Sequence, residues 1–279
     1  MKTLLLVDYN SLFRRALELS QVTLSWNDIP TNGVYGFIQQ FCETVSAVEA
    51  TRVIVCTDSR PYDRSKLFPE YKSKHIKSDI QHDIVKFNHS MVDEFINLLE
   101  IPYWKEKGLE ADDLIAMCCN LYHNEFDRIV IASSDSDLFQ LLEHPNVYLR
   151  RRIKKKNILY GREEFRKEYN YMSVEDYIRY LSTVGTHNAI PGIKGFGPVK
   201  AKEIVAYQTV WDAFYKEHRK ELDLYLRLIR LPFRSNVKSF PKPIKGKFPK
   251  MKIIVSLAKS GISLTQSMEK ALTRIGGNK

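Results

Sequence analysis

Leu4-Leu5-Leu6-Val7-Asp8 is four apolar residues ended abruptly by an acid. A run that short and that uniformly apolar reads as a strand buried on both faces, as in a parallel sheet covered by helices. The pattern recurs. Val53-Ile54-Val55 leads to Asp58, Gly108-Leu109 precedes Glu110, Asp112 and Asp113, and Ile129-Val130-Ile131-Ala132 leads to Asp135 and Asp137. The carboxyl ends of parallel strands converge on one edge, where α/β proteins place their ligands. Seven carboxylates gathered there repel one another unless cations neutralise them. Oxygen-only ligands favour hard divalent ions, Mg²⁺ or Mn²⁺, over zinc.

Each cluster has a structural alternative. Asp8 or Asp58 alone suits a loop or a helix N-cap. Asp112-Asp113 suits the first turn of a helix, where carboxylates offset the dipole, and Ser133-Ser134-Asp135 suits an N-cap. Four such clusters, each after a strand, argue for a metal site.

At 279 residues the chain suits one large domain or a domain and a half. No segment approaches the ~18 to 20 continuous apolar residues that span a bilayer. The N-terminus meets Asp8 too early for a signal peptide, so a cytoplasmic location is expected. Cys42, Cys56, Cys118 and Cys119 lack metal or redox spacing and suit a reducing compartment.

The net charge is +10, unevenly spread. Residues 1–193 hold 24 Lys/Arg against 27 Asp/Glu, whereas residues 194–279 hold 19 against 6. A near-neutral half with an acidic site, joined to a basic half, points to a polyanion lying across both, and so to nucleic acid.

The alternation of elements predicts a twisted, mainly parallel sheet flanked by helices. Helices are expected at 10–20, 33–48, 90–100, 111–122, 136–142, 173–187 and 198–208, and further strands at 101–104 and 146–149. Residues 232–252, rich in Pro and Lys, give no clear reading. Residues 60–77 interleave cations with Tyr62, Phe68 and Tyr71, which suits a single-stranded nucleic acid gripped by its phosphates and stacked on rings. Ile190-Pro191-Gly192-Ile193-Lys194-Gly195-Phe196-Gly197-Pro198 brings glycine backbone close to a phosphate, with Pro198 in the first turn of a helix and Lys200 and Lys202 beyond. Such a loop holds duplex DNA by its backbone without reading bases.

Val7-Asp8-Tyr9-Asn10, Thr57-Asp58, Phe68-Pro69-Glu70-Tyr71-Lys72, Leu109-Glu110-Ala111-Asp112-Asp113, Ser133-Ser134-Asp135-Ser136-Asp137 and Pro191-Gly192-Ile193-Lys194-Gly195-Phe196-Gly197 stand in an order that resembles the 5′-nuclease family. That family comprises flap endonucleases, bacteriophage 5′–3′ exonucleases and the 5′-nuclease domain of bacterial DNA polymerase I. The compact length most resembles the bacteriophage members.

The resemblance implies a PIN-like nuclease domain over 1–180, with a helical arch at about 60–88, and a basic helix–three-turn–helix region over 181–279. It implies metal-dependent phosphodiester hydrolysis. Asp8, Asp58, Glu110, Asp112 and Asp113 would surround the first ion, and Asp135 and Asp137 would reach toward a second. Arg64 and Lys72 would contact the scissile phosphate. Tyr71, Gly192, Gly195, Gly197, Lys200 and Lys202 would bind DNA, and a K⁺ ion would sit on the loop at 192–202. The expected partner of this monomer is branched or 5′-flap DNA, or an RNA–DNA hybrid, with no membrane.

The sequence departs from the family at one place. Two aspartates usually precede the glycine loop and complete the second metal site; here Gly185-Thr186-His187-Asn188-Ala189-Ile190 carries neither. A weakened second ion is expected, with Asn188 or His187 as neutral ligands at most. Two other readings therefore stay open: a branched-DNA-binding protein with weak or no cleavage, and a ribonuclease that removes RNA primers.

Overall fold

A computed structural model describes residues 1–19, 24–72, 82–153, 156–170, 172–186 and 190–277. The sheet at its centre contains strands β1 (Thr3–Asp8), β4 (Arg52–Thr57), β5 (Tyr103–Lys105), β6 (Arg128–Ala132), β7 (Val147–Ile153) and β8 (Lys156–Tyr160); β2 (Ser25–Trp26) and β3 (Ile29–Pro30) pair separately. The order is β5-β4-β1-β6-β7-β8, parallel except for the antiparallel β7–β8 hairpin at one edge.

Every residue of β1 is buried, and successive side chains divide between two cores. Leu4 and Leu6 join Ile54, Cys56, Ile129 and Ile131 on one face. Leu5 and Val7 join Val53, Val55, Val130 and Ala132 on the other. This period of two, apolar on both faces, is why the strands read as unbroken Leu, Val and Ile.

The first face carries α5 (Ala111–Tyr122), a 3₁₀ helix (Ser136–Glu143), α6 (Arg162–Glu168), α7 (Val174–Val184), α8 (Pro198–Val205), α9 (Gln208–Glu217) and α10 (Arg219–Ile229). The second carries α1 (Tyr9–Leu19), α2 (Asn32–Ala47), α4 (His82–Leu98), α11 (Lys250–Ala258) and α12 (Gln266–Gly276). The short α3 (Arg64–Leu67) begins the expected arch, whose residues 73–81 lie outside the described ones.

Several expectations need correction. The helix expected at 90–100 starts eight residues earlier, at His82. Polar Asn88 interrupts its apolar pattern, but it is fully buried and satisfied, accepting from Val34 N at 3.0 Å and donating to Pro30 O and Ile84 O. The strand expected at 146–149 runs on to Ile153 and pairs antiparallel with β8, which starts at Lys156, because charge is tolerated at a sheet edge. Residues 238–249 run without regular structure as a strap. It is fastened by Tyr122 Oη to Pro241 O, Gly246 N to Ile275 O and Lys247 N to Leu99 O. Ile253, Leu257 and Leu272 lie in one core with Leu5 and Phe37, and Ile204, Phe214 and Leu228 lie in the other with Leu4 and Leu114. No described helix is long and apolar enough to cross a membrane.

Candidate metal and nuclease site

The strand order turns at β1, and the acids collect at the carboxyl ends on either side of it. Asp8 is the last residue of β1. Its Oδ1 accepts Ser11 N at 3.0 Å and its Oδ2 accepts Ser133 Oγ at 2.8 Å. Asp58 follows β4; Ala111 N donates to one oxygen at 2.9 Å and Tyr62 Oη to the other at 2.7 Å. Asn10 Oδ1 accepts both Thr57 Oγ1 and Asp58 N, tying the β1 end to the β4 end. Asp135 follows β6 and caps the 3₁₀ helix, accepting Asp137 N at 2.9 Å.

Glu110 stands at the N-cap of α5, and its backbone N donates to the Asp113 carboxylate at 3.1 Å. Its own carboxylate is crowded with donors. Oε2 accepts Tyr71 Oη at 2.8 Å and Arg64 Nη1 at 3.0 Å, while Lys72 Nζ bonds Oε1.

Three expected roles change here. Asp113 is fully buried, and its oxygens are taken up by both terminal nitrogens of Arg64, by Glu110 N and by Phe233 N. Arg64 is 3% exposed and spends its donors on Asp113, Glu110 and the Leu228 carbonyl. The two groups neutralise each other inside the protein and hold Glu110 in place. A phosphate contact by Arg64 and an ion contact by Asp113 would both require breaking that buried pair, at a cost of several kcal/mol. Tyr71 likewise points inward and is 9% exposed.

The remaining acids repel one another. Burial, then the Asp135 and Asp8 carboxylates, hold Asp112 well above the usual carboxylate range. Burial and Asp135 push Asp137 up to about 7, and burial with Asp58 and Asp135 outweighs hydrogen bonds from Ser11 and Ser133 to push Asp8 up to about 6. Burial disfavours the charge on Lys72, yet Glu110, with Tyr71 and Asp112, outweighs this and holds its pKa above the ordinary lysine value.

With Lys72 seated on Glu110, no three His, Cys, Asp or Glu side chains among the described residues converge to hold a metal ion. The donor set nevertheless fits a hard cation. It is all oxygen, its acids raise one another's pKa, and Glu110, Asp112 and Asp137 line a cavity of about 20 Å³, room for one ion or water. Thr186 lines the same cavity, a neutral hydroxyl where relatives are expected to place an acid; His187 and Asn188 lie outside the described residues.

The glycine loop joins α7 to α8. Ile193 N donates to Thr183 O at 2.8 Å, and Gly192 has φ +72 where a Cβ would meet Val184 backbone at 2.5 Å. Cβ atoms at Gly195 and Gly197 would meet nothing within 4 Å, so this backbone is open to a large ligand. Lys200 and Lys202 are exposed on α8 beside it.

The family model described as 5′–3′ exonuclease, N-terminal resolvase-like domain, matches residues 3–170. The chain belongs to this family. Membership makes it a 5′ nuclease, a hydrolase of phosphodiesters, as the sequence motifs led one to expect. A 5′–3′ exonuclease of Bacillus subtilis is 31% identical over 220 residues, covering 74% of this chain and 71% of that protein. Another from Aquifex aeolicus is 26% identical over 262 residues, covering 89% and 88%. Among solved structures, T5 5′-exonuclease with bound divalent metal ions aligns with a TM-score of 0.66 at 18% identity over 98% of both chains. Flap endonuclease-1 from Methanococcus jannaschii aligns with a TM-score of 0.66 at 17% identity, covering 98% of this chain and 91% of that one. The fold is thus the PIN-like one of flap endonucleases.

Tyr62, Asn10 and Ser133 hold the acids in place, a role the sequence reading did not assign to them. Tyr62 donates to Asp58 four residues before it, Asn10 accepts the Asp58 backbone N, and Ser133 donates to Asp8.

Proposed function

We propose that this 5′ nuclease cuts branched DNA, 5′ flaps above all, near the junction of single strand and duplex, with Mg²⁺ or Mn²⁺ as its ion. The observation that supports this is that Asp8, Asp58, Glu110, Asp112, Asp135 and Asp137 follow the carboxyl ends of neighbouring strands, near enough for their charges to act on one another. Among these, burial and mutual repulsion raise the pKa values of Asp8, Asp112 and Asp137. These acids would hold a divalent cation, which would supply positive charge beside the phosphodiester and acidify water.

The chain's own residues do the rest. Ser133 and Ser11 orient Asp8, Asn10 and Tyr62 orient the Asp58 segment, and the Arg64–Asp113 pair orients Glu110. Lys72 stands at the base of the arch and, on leaving Glu110, offsets charge on the phosphate in the transition state. The open backbone at Gly195 and Gly197, with Lys200 and Lys202, holds duplex phosphates, so preference follows DNA shape rather than base sequence. Thr186 in the cavity supports a weak second ion site. For K⁺ on the loop, the support is the family resemblance alone.

The test is cleavage of a 5′-labelled flap duplex in Mg²⁺, Mn²⁺ or EDTA. Metal-dependent product at the junction is expected, and Asp112→Ala should abolish it while leaving junction binding within about twofold. A gel shift without product in either metal would mean a junction-binding protein. Faster cleavage of an RNA 5′ strand would favour primer removal.

A further inference from the structure

Three stretches far apart in sequence meet beside the acids without entering the metal site. Asp63 N donates to Gly108 O at 2.8 Å and Ser59 N to Leu109 O at 2.9 Å, so the start of the arch lies against the loop that leads into Glu110. Gly108 has φ +82, and a Cβ there would stand 2.5 Å from the Asp63 carboxyl, so only glycine permits this approach. Onto this contact comes Arg234, from the segment after α10. Its Nε donates to Asp63 Oδ2 at 2.9 Å, its Nη2 to Lys107 O at 2.6 Å and its Nη1 to Asn236 O at 2.9 Å.

One planar guanidinium therefore bridges both segments, which a lysine could not do with the same fork. Lys66 also bonds Asp63, at 2.6 Å, but from within the same short helix, and its side chain is 73% exposed. It neutralises Asp63 without tying it to anything else.

Position along the chain gives the contact its reach. Asp63 immediately precedes Arg64, and the arch returns to the acids at Tyr71 and Lys72, both of which bond Glu110. Lys107 stands just ahead of Glu110. Arg234 thus ties the segment that leads to Lys72 to the segment that leads to Glu110. The neighbouring anchors, Phe233 N on Asp113 and Gln140 against Ile229 and Leu231, hold the Arg234 segment itself in place.

We propose that Arg234 is a positioning residue: it clamps the start of the arch to the loop before Glu110 and thereby sets where Lys72 stands. The inference rests on the proposed 5′-nuclease function. Arg234 is part-exposed, so its replacement leaves the buried Arg64–Asp113 pair intact.

The experiment is single-turnover cleavage of a 5′-flap duplex by the unaltered protein, Arg234→Ala, Lys72→Ala and the double variant, with the melting temperature of each as a fold control. Arg234→Ala should cleave about tenfold to a hundredfold more slowly, with unchanged Kd for the flap duplex. It should add nothing on top of Lys72→Ala, because both changes act through the same lysine. Arg234→Lys should recover part of the rate, since it keeps a charge for Asp63 but not the second arm to Lys107. An unaltered rate in Arg234→Ala, or an equal further loss in the Lys72→Ala background, overturns the proposal. If Arg234→Ala melts early, Arg234→Gln carries the same comparisons. No metal-dependent product from the unaltered protein overturns the 5′-nuclease reading and this proposal with it; a change confined to the variants bears on Arg234 alone.

Discussion

Glu110 shows how much a single carboxylate can be asked to do. It accepts from Tyr71 and Arg64, and holds the Lys72 ammonium where a metal would need the same oxygen. A divalent ion and Lys72 therefore compete for it. Lys72→Ala should bind Mg²⁺ more tightly in calorimetry while cleaving at least about a hundredfold more slowly; equal Mg²⁺ affinity would show that the two do not compete. Asp137 supplies a second prediction. Burial and Asp135 push its carboxyl up to about 7 from the ordinary 3.8, so between those values the folded state holds a proton that the unfolded chain has released. Its contribution to stability is present at low pH and declines as pH rises through that window. In EDTA, Asp137→Asn should melt several degrees above the unaltered protein at pH 8 and level with it near pH 4, and Mg²⁺ should narrow the gap at pH 8. At this scale the sequence showed which acids cluster, but not which of them face a cation. Asp112 and Asp113 are adjacent and chemically identical, yet the helix turn aims one at the cavity and the other at Arg64.

Among the elements, the loop between α7 and α8 separates two kinds of glycine. Gly192 is there for folding: its φ of +72 and the 2.5 Å approach to Val184 leave no room for a side chain. Gly192→Ala should cost at least about 2 kcal/mol in denaturant unfolding. Gly197 has extended backbone and open space, so Gly197→Ala should cost under about 1 kcal/mol yet weaken duplex binding several-fold in a titration. Equal losses of stability would remove this distinction. The long apolar runs announced the strands, and Ala111–Tyr122 is a helix at its expected ends. Helix α4 was only half legible, because a buried polar residue looks exposed until its partners are known; Asn88 finds them on α2 and at Pro30.

At the level of the whole molecule, the C-terminal residues matter more than their composition suggests. Leu272 is fully buried on α12, packed in one core with Leu5 and Phe37 from the chain's beginning. Leu272→Ala should cost about 2 to 5 kcal/mol, read from thermal or denaturant unfolding, and residues 1–180 expressed alone should fail to show a cooperative transition. A cooperative melt of that fragment would support the boundary at 180/181 that the family resemblance implies. Fold class, acid cluster, basic half and nuclease family were all determined by the sequence itself, because each rests on local patterns: apolar runs that end in acids, glycine spacing, and the sum of charges. Tertiary structure alone decided that Arg64 and Asp113 cancel each other, that Lys72 sits on Glu110, and that the C-terminal helices complete the N-terminal core. Those outcomes depend on which distant groups share a desolvated space, and pairing across space leaves no period or spacing along the chain.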